Sequence, residues 1–241
     1  NDNNYPNFSK LLSHLKISSK WSDMSLGFSF NNKNFEYACD SLNKLFAQRK
    51  NFLNYNYMHS LLQLLRFYKD APRQLRRGDL DGLNLEEFLI KFNYSKFFTE
   101  HLILPMAGAI WSASLNDISD FPADRFVSFF INHDLMSGLK PAQKWRTIEN
   151  GSELYVKKII SNKKIKSKMN SNVVKVDRND KKCLVYFADG QKKEFDHVVF
   201  AISPTIIKNI LSNKTITEIK ILSKFKVSKN KAVLHSDIKL M

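Results

Sequence analysis

The sequence predicts a mixed α/β chain in two parts, α+β over these 241 residues: a largely helical part with one hairpin, then a strand-rich part. Three observations carry this. Apolar residues recur at helical spacing through most of the first 145 residues. From Gly151 onward the pattern changes to helix, strand, hairpin, strand and helix. A hydrophobic content of 43% with 12% aromatic residues supports a packed core and argues against global disorder.

Tyr5-Pro6-Asn7 opens a helix whose Phe8, Leu11, Leu12 and Leu15 follow the 3.6 period. Residues 24–30 alternate apolar with small or polar side chains, as a half-buried strand does. Asn31-Asn32 turns them into Phe35-Glu-Tyr-Ala, which makes a hairpin near 24–38. A helix is expected over 55–69, with Met58, Leu61, Leu62, Leu65 and Tyr68 on one face. Pro72 should stop or bend it, because proline lacks the N–H and restricts its neighbour. Asn84-Leu-Glu-Glu87 has the form of a capping box, so a helix should begin at Leu85. Pro105 interrupts the apolar passage 97–111, and residues 123–133 form a helix with Phe126, Phe129 and Phe130 turned inward. After Gly151 come a helix, a strand at Val173-Val174-Lys175-Val176, and a hairpin closed at Asp189-Gly190. A buried strand through Val198-Val199-Phe200-Ala201 then runs into Ile202-Ser203-Pro204 and a short apolar helix. These shifts divide the chain into 1–145, 146–212 and 213–241.

The length suits one large domain or two small ones. Thirty of the 38 basic residues are lysines, and a general lysine bias accounts for most of the net charge of +15. Two clusters, Lys163-Lys164-Ile-Lys166-Ser-Lys168 and Lys224-Phe-Lys226-Val-Ser-Lys229-Asn-Lys231, have the character to meet anionic lipid headgroups or a polyanion. Nucleic-acid recognition would need a reading helix or base-stacking aromatics in a binding motif, and none is present, so no nucleic-acid partner is expected. Cys39 and Cys183 lack metal-ligand spacing and read as two reduced thiols. The six histidines form no H-x-x-x-H pattern, so no metal site is expected. No signal-peptide pattern and no apolar run of roughly 18 residues is visible. The expected location is cytoplasmic, with peripheral membrane contact as an addition. The chain starts without a methionine and stops after a strand-like Ala232-Val-Leu-His, which suggests an internal piece of a larger protein.

The cassette over 151–211 resembles the second half of the FAD-binding domain in flavoproteins of the amine oxidase and phytoene desaturase type. Ordered matches extend this over nearly the whole chain. They include Asn4-Tyr5-Pro6-Asn7, Leu45-Phe46-Ala47-Gln48-Arg49, Leu104-Pro105-Met106, Ala109-Ile110-Trp111-Ser112, Phe130-Ile131-Asn132-His133 and Trp145-Arg146-Thr147-Ile148. Together they are similar to a bacterial group of FAD/NAD-binding amine oxidase-like proteins, relatives of flavin amine oxidases, protoporphyrinogen oxidases and carotenoid-type desaturases. The resemblance implies a two-domain fold, a helical substrate domain and a Rossmann-like FAD domain. It places 1–145 in the substrate domain, 146–212 in the middle of the FAD domain and 213–241 on the return. It also implies that the G-x-G-x-x-G turn and the last flavin segment lie outside these residues; none of the seven glycines has that spacing.

The implied activity is FAD-dependent oxidation, with hydride taken from an amine or an apolar, lipid-like substrate. A non-catalytic scaffold with a degenerate flavin fold, or a peripheral module that binds anionic membranes, is the alternative, and the isolated 241 residues are expected to be inactive. The resemblance assigns an adenine contact to the backbone of Val173, or of Val174 one position on, against a plain β-core valine. Small Ala201 would let backbone approach the cofactor, or simply end a strand. Met106, Trp111 and Trp145 would line a flavin-facing cavity or pack in the core. Arg146 would neutralise a flavin phosphate or a substrate carboxylate, or stand on the surface. Lys231 matches the place of a lysine water-bridged to flavin N5, although its lysine-rich surroundings favour a solvated side chain. His133 is the one histidine with a substrate role to test, against a satisfied helix end.

Overall fold

The computed structural model describes residues 2–22, 25–31, 34–39, 41–136, 145–227 and 231–237. The chain divides into two units, Asn1–Lys158 with Asn230–Met241, and Ile159–Lys229.

In the first unit, α1 (Pro6–His14) starts with proline at its first position, where the absent N–H costs no helical bond. β1 (Ser19–Ser22) follows, then the hairpin β2 (Gly27–Phe30) and β3 (Phe35–Ala38), with Phe28 opposite Tyr37 and Phe30 opposite Phe35. Met24 and Asn32, assigned to this hairpin from sequence, lie outside the described residues. After α2 (Leu42–Leu45) and a 3-10 turn at Arg49–Leu53, the Asn54 side chain accepts the Tyr57 N–H and opens α3 (Tyr55–Arg77).

α3 is longer than the expected 55–69, and its apolar stripe is not its buried one. It runs through Pro72 to a left-handed Gly78, because neighbouring Phe67 and Ala71 are fully enclosed and their packing outweighs one lost helical bond. Its buried stripe is Tyr57, Ser60, Gln63, Phe67 and Ala71. Leu61 and Tyr68 are half-buried against that core, whereas Met58, Leu62 and Leu65 face out, the last two 66% and 59% exposed. Both stripes have helical spacing, so periodicity alone could not choose between them. The choice went to the one whose polar members find partners: Ser60 donates to the Asn56 carbonyl, and Gln63 accepts from the Ser95 N–H and hydroxyl.

α4 (Leu85–Lys91) begins with the expected capping box, Asn84 and Glu87 each accepting the other's backbone N–H. α5 (Lys96–Phe98) passes through a π turn, Thr99–Ile103, into α6 (Leu104–Trp111). Pro105 therefore does not break the passage. It has no N–H to offer the His101 carbonyl four residues back; the Tyr37 hydroxyl donates to that oxygen instead, at 2.6 Å. Burial pushes the Tyr37 phenol far above its ordinary range, which keeps it a donor.

α7 (Leu115–Ser119) and α8 (Ala123–Asn132) complete the helical layer, and Phe126 and Phe130 point inward as expected, with Phe129 half-buried. β4 (Trp145–Ile148) pairs antiparallel with β1, Trp21 opposite Arg146. α9 (Glu153–Ile160) follows Gly151, whose φ of +91° suits a residue without Cβ.

The second unit is a meander, β5 (Val173–Arg178), β6 (Cys183–Phe187) and β7 (Lys192–Phe195). Gly190, at φ +79°, closes the expected Asp-Gly turn, with the Asp189 carboxylate accepting the Gln191 N–H. α10 (Pro204–Ile210) and α11 (Ile216–Leu222) complete the unit, and Val176, Val185 and Leu211 form its small core. The Arg178 guanidinium holds the Glu218 carboxylate through both nitrogens, at 2.9 and 2.5 Å, and Glu218 also caps α11 through the Thr215 N–H.

Two expected strands are absent. Residues 198–201 are irregular, with Val199 91% exposed and Ala201 exposed, because no strand lies beside them among the described residues to complete a ladder. Residues 231–235 are likewise exposed and unpaired to any strand. Among the described residues no helix is long and apolar enough to cross a membrane.

Candidate functional site

The first unit contains a cavity of about 350 Å³ between α1 and the β1–β4 ribbon, near the lower end of the range for small-molecule sites. Tyr5, which caps α1, joins Phe8 and Leu12 of that helix, and Trp145 and Ile148 come from β4. Along β4, Trp145 and Ile148 are half-buried and Arg146 and Thr147 exposed.

Two polar groups face this apolar lining. Asp2 accepts from the Ser9 hydroxyl at 2.8 Å and lies 3.4 Å from the Arg146 guanidinium. Ser9 first, and Arg146 after it, hold the Asp2 carboxyl below the usual carboxylate range. The Arg146 guanidinium also sits 4.8 Å from the centre of the Trp21 ring, its cross-strand neighbour. Its positive charge is thus already answered by Asp2 and by an aromatic face.

His133 follows α8 and adjoins this wall. Its Nδ1 is 3.0 Å from the Phe129 carbonyl, which only accepts, so the proton of the neutral ring belongs on Nδ1. Nε2 then faces the Tyr5 hydroxyl at 3.5 Å. The imidazole stacks on Phe129 at 3.9 Å and lies parallel to Trp145 at 6.3 Å. Phe129 also contacts Trp111 at 4.7 Å. One aromatic file therefore links Trp111, His133 and Trp145 from the helical core to the cavity wall.

The sequence-predicted residues thus fall into separate groups. Trp145 and Arg146 line the cavity and His133 adjoins it. Trp111 packs on Phe121, Phe126, Phe129 and Phe130, and Met106 is half-buried against the same core. Val173 and Val174 lie on β5, where the register slips between Val173 and Lys175, leaving Val174 with no residue opposite in the ladder and half exposed. Ala201 is exposed in irregular chain, as is Lys231 in the first unit. Sequence reasoning missed Asp2, Ser9, Ser19 and Trp21. The β1–β4 pairing that gathers them joins four-residue strands more than 120 positions apart, and neither carries a local signal.

Among the described residues no three His, Cys, Asp or Glu side chains gather as a metal site would require. The cavity is half-open and can hold a small apolar body beside a fixed ion pair; its walls offer binding and orientation, not an acid-base pair of their own.

No curated protein matches this chain. A double mutant of putrescine oxidase, from a structure-based redesign of its cofactor binding, superposes with a TM-score of 0.62 at 14% identity. Wild-type putrescine oxidase bound to putrescine gives 0.61 at 14%. Each match covers 90% of this chain and 49% of the oxidase, so the chain spans about half the length of these structures, and the likeness speaks for fold. The profile of flavin containing amine oxidoreductases matches residues 2–233. The chain belongs to the flavin containing amine oxidoreductase family.

Proposed function

We propose that this chain serves an FAD-dependent oxidoreductase that oxidises an amine or an apolar substrate at a C–H bond. The observation that carries this is the family match from residue 2 to residue 233, which runs through both units. In this reading residues 1–145 form part of the substrate side, 146–212 part of the flavin side, and 213–241 the return between them.

The residues present fit one end of the dinucleotide. The bulge on β5 leaves the Val173–Val174 backbone partly outside the ladder, as a strand edge that takes an adenine through N–H and C=O would need. The pyrophosphate end has no counterpart here, since no three glycines have the spacing that lets backbone approach it. Residues 1–241 alone are therefore expected to bind FAD weakly and to be inactive.

When bound, a flavin supplies the redox chemistry, accepting a hydride equivalent from the substrate. The chain's own part is to hold and orient. Trp145, Tyr5 and Phe8 offer apolar contact, and the Asp2–Arg146 pair fixes the polar rim. Putrescine is the ligand of the matched oxidase; a small amine is accordingly the first substrate class to try.

The test is the absorption spectrum of the purified full-length protein before and after dithionite. A yellow flavin spectrum that bleaches on reduction supports the proposal and opens a screen of amines and unsaturated lipids. A colourless protein that fails to take up added FAD would overturn it and favour a scaffold with a degenerate flavin fold.

A further inference from the structure

The net charge of the chain is unevenly placed. Ile159–Lys229 holds 16 of the 38 basic and 6 of the 23 acidic residues, a net +10, while the rest of the chain carries +5. The densest part is the connection between α9 and β5, residues 161–172, with Lys163, Lys164, Lys166 and Lys168 and no Asp or Glu. Every residue from 161 to 170 is exposed.

This loop has a defined base and a free tip. Lys168 is tied down, 3.5 Å from the Asp189 carboxylate, 3.1 Å from the Gln191 side-chain oxygen and 4.7 Å from the centre of the Phe187 ring. The Asn162 side chain accepts the Lys164 N–H, and its carbonyl accepts that of Ile165, which shapes the turn at the tip. Lys163, Lys164 and Lys166 have no ion-pair partner among the described residues, so three full charges face water. Between and beside them stand Ile165, 44% exposed, and Met169, 73% exposed.

We propose that this loop docks the protein on an anionic phospholipid surface. The three unpaired ammonium groups would lie at headgroup level, with Ile165 and Met169 entering the boundary of the acyl chains. Charge complementarity and the interleaved apolar residues together select this partner. Cations alone would suit any polyanion, but a nucleic acid bound without duplex geometry is held by aromatic stacking. The loop contains no aromatic residue, and two exposed aliphatic side chains gain nothing from a phosphate backbone. Each lysine near such a surface raises affinity about fivefold, so three together account for about a hundredfold.

The experiment is co-sedimentation of the full-length protein with vesicles of phosphatidylcholine, with and without phosphatidylserine. Binding is expected only with phosphatidylserine and should weaken as salt rises. Changing Lys163, Lys164 and Lys166 to Glu should reduce it at least a hundredfold. The same charge change at exposed Lys181, Lys208 and Lys220 should cost less than about tenfold, because those charges lie outside the loop. Ile165→Ser with Met169→Ser keeps every charge and should remove about tenfold, chiefly the part that resists salt. Equal losses from the two lysine triples would overturn the proposal. So would an absence of vesicle binding, or tighter binding to single-stranded RNA that ignores the Ile165 and Met169 changes.

Discussion

In the first unit Tyr57, Phe67, Phe88, Phe98, Phe126 and Phe130 are wholly enclosed, whereas in Ile159–Lys229 the buried apolar set is Val176, Val185 and Leu211. Length explains part of this, because a shorter segment encloses proportionally less of its surface. Composition explains the rest. The helical unit stacks aromatic rings from four helices and a hairpin, each burying a large area. The meander presents one half-buried face and holds α11 by a charged clasp, Arg178 with Glu218. Stability in the first unit thus rests on packing; the second adds polar bonds at its margin.

The sharpest way to break this contrast is to cut one buried side chain from each unit. Phe67→Ala should cost about 3–5 kcal/mol and Val176→Ala about 1–2 kcal/mol. Denaturant midpoints, with hydrogen exchange read separately over α3 and β5, would check both. Equal costs would mean that the small core is as decisive as the large one.

A smaller effect tests whether the aromatic unit also depends on single polar bonds. Tyr37→Phe should destabilise it by about 1–3 kcal/mol, by leaving the His101 carbonyl without its donor. Adding Pro105→Ala should recover part of this loss, because an alanine there brings back the missing N–H. A double-mutant cycle measured by thermal or denaturant unfolding would give the coupling, and strict additivity would refute the link.

The smallest effect concerns the clasp of the second unit. The Arg178 guanidinium, with the Thr215 N–H, holds the Glu218 carboxyl at about 2, below its reference of 4.5. A carboxyl depressed on folding contributes stability that is present above the unfolded value and lost as pH falls through the folded one. Exchange protection of α11 should therefore decline between about pH 4.5 and pH 2, by less than about 1 kcal/mol because both partners are one-third exposed. Arg178→Gln should flatten that decline, and an unchanged profile would show that the clasp adds nothing.

Elements governed by neighbouring residues were legible in the sequence. The Asn84–Glu87 capping box, the hairpin of β2 and β3 and the Asp189-Gly190 turn form from side chains within a few positions of each other. The candidate site was half legible. Trp145, Arg146 and His133 stood out as residues, but their meeting with Asp2, Tyr5 and Trp21 depends on the β1–β4 pairing.

By itself, then, the sequence determined the helix starts, the turns and the family of the chain. Each follows from short-range chemistry or from an ordered set of motifs. The tertiary structure alone decided which stripe of α3 is buried, how the chain passes Pro72 and Pro105, and that residues 198–201 form no strand. In each case the deciding partner is distant in the chain. A stripe needs a facing core, a proline-orphaned carbonyl needs another donor, and a strand needs a neighbour to complete its hydrogen bonds.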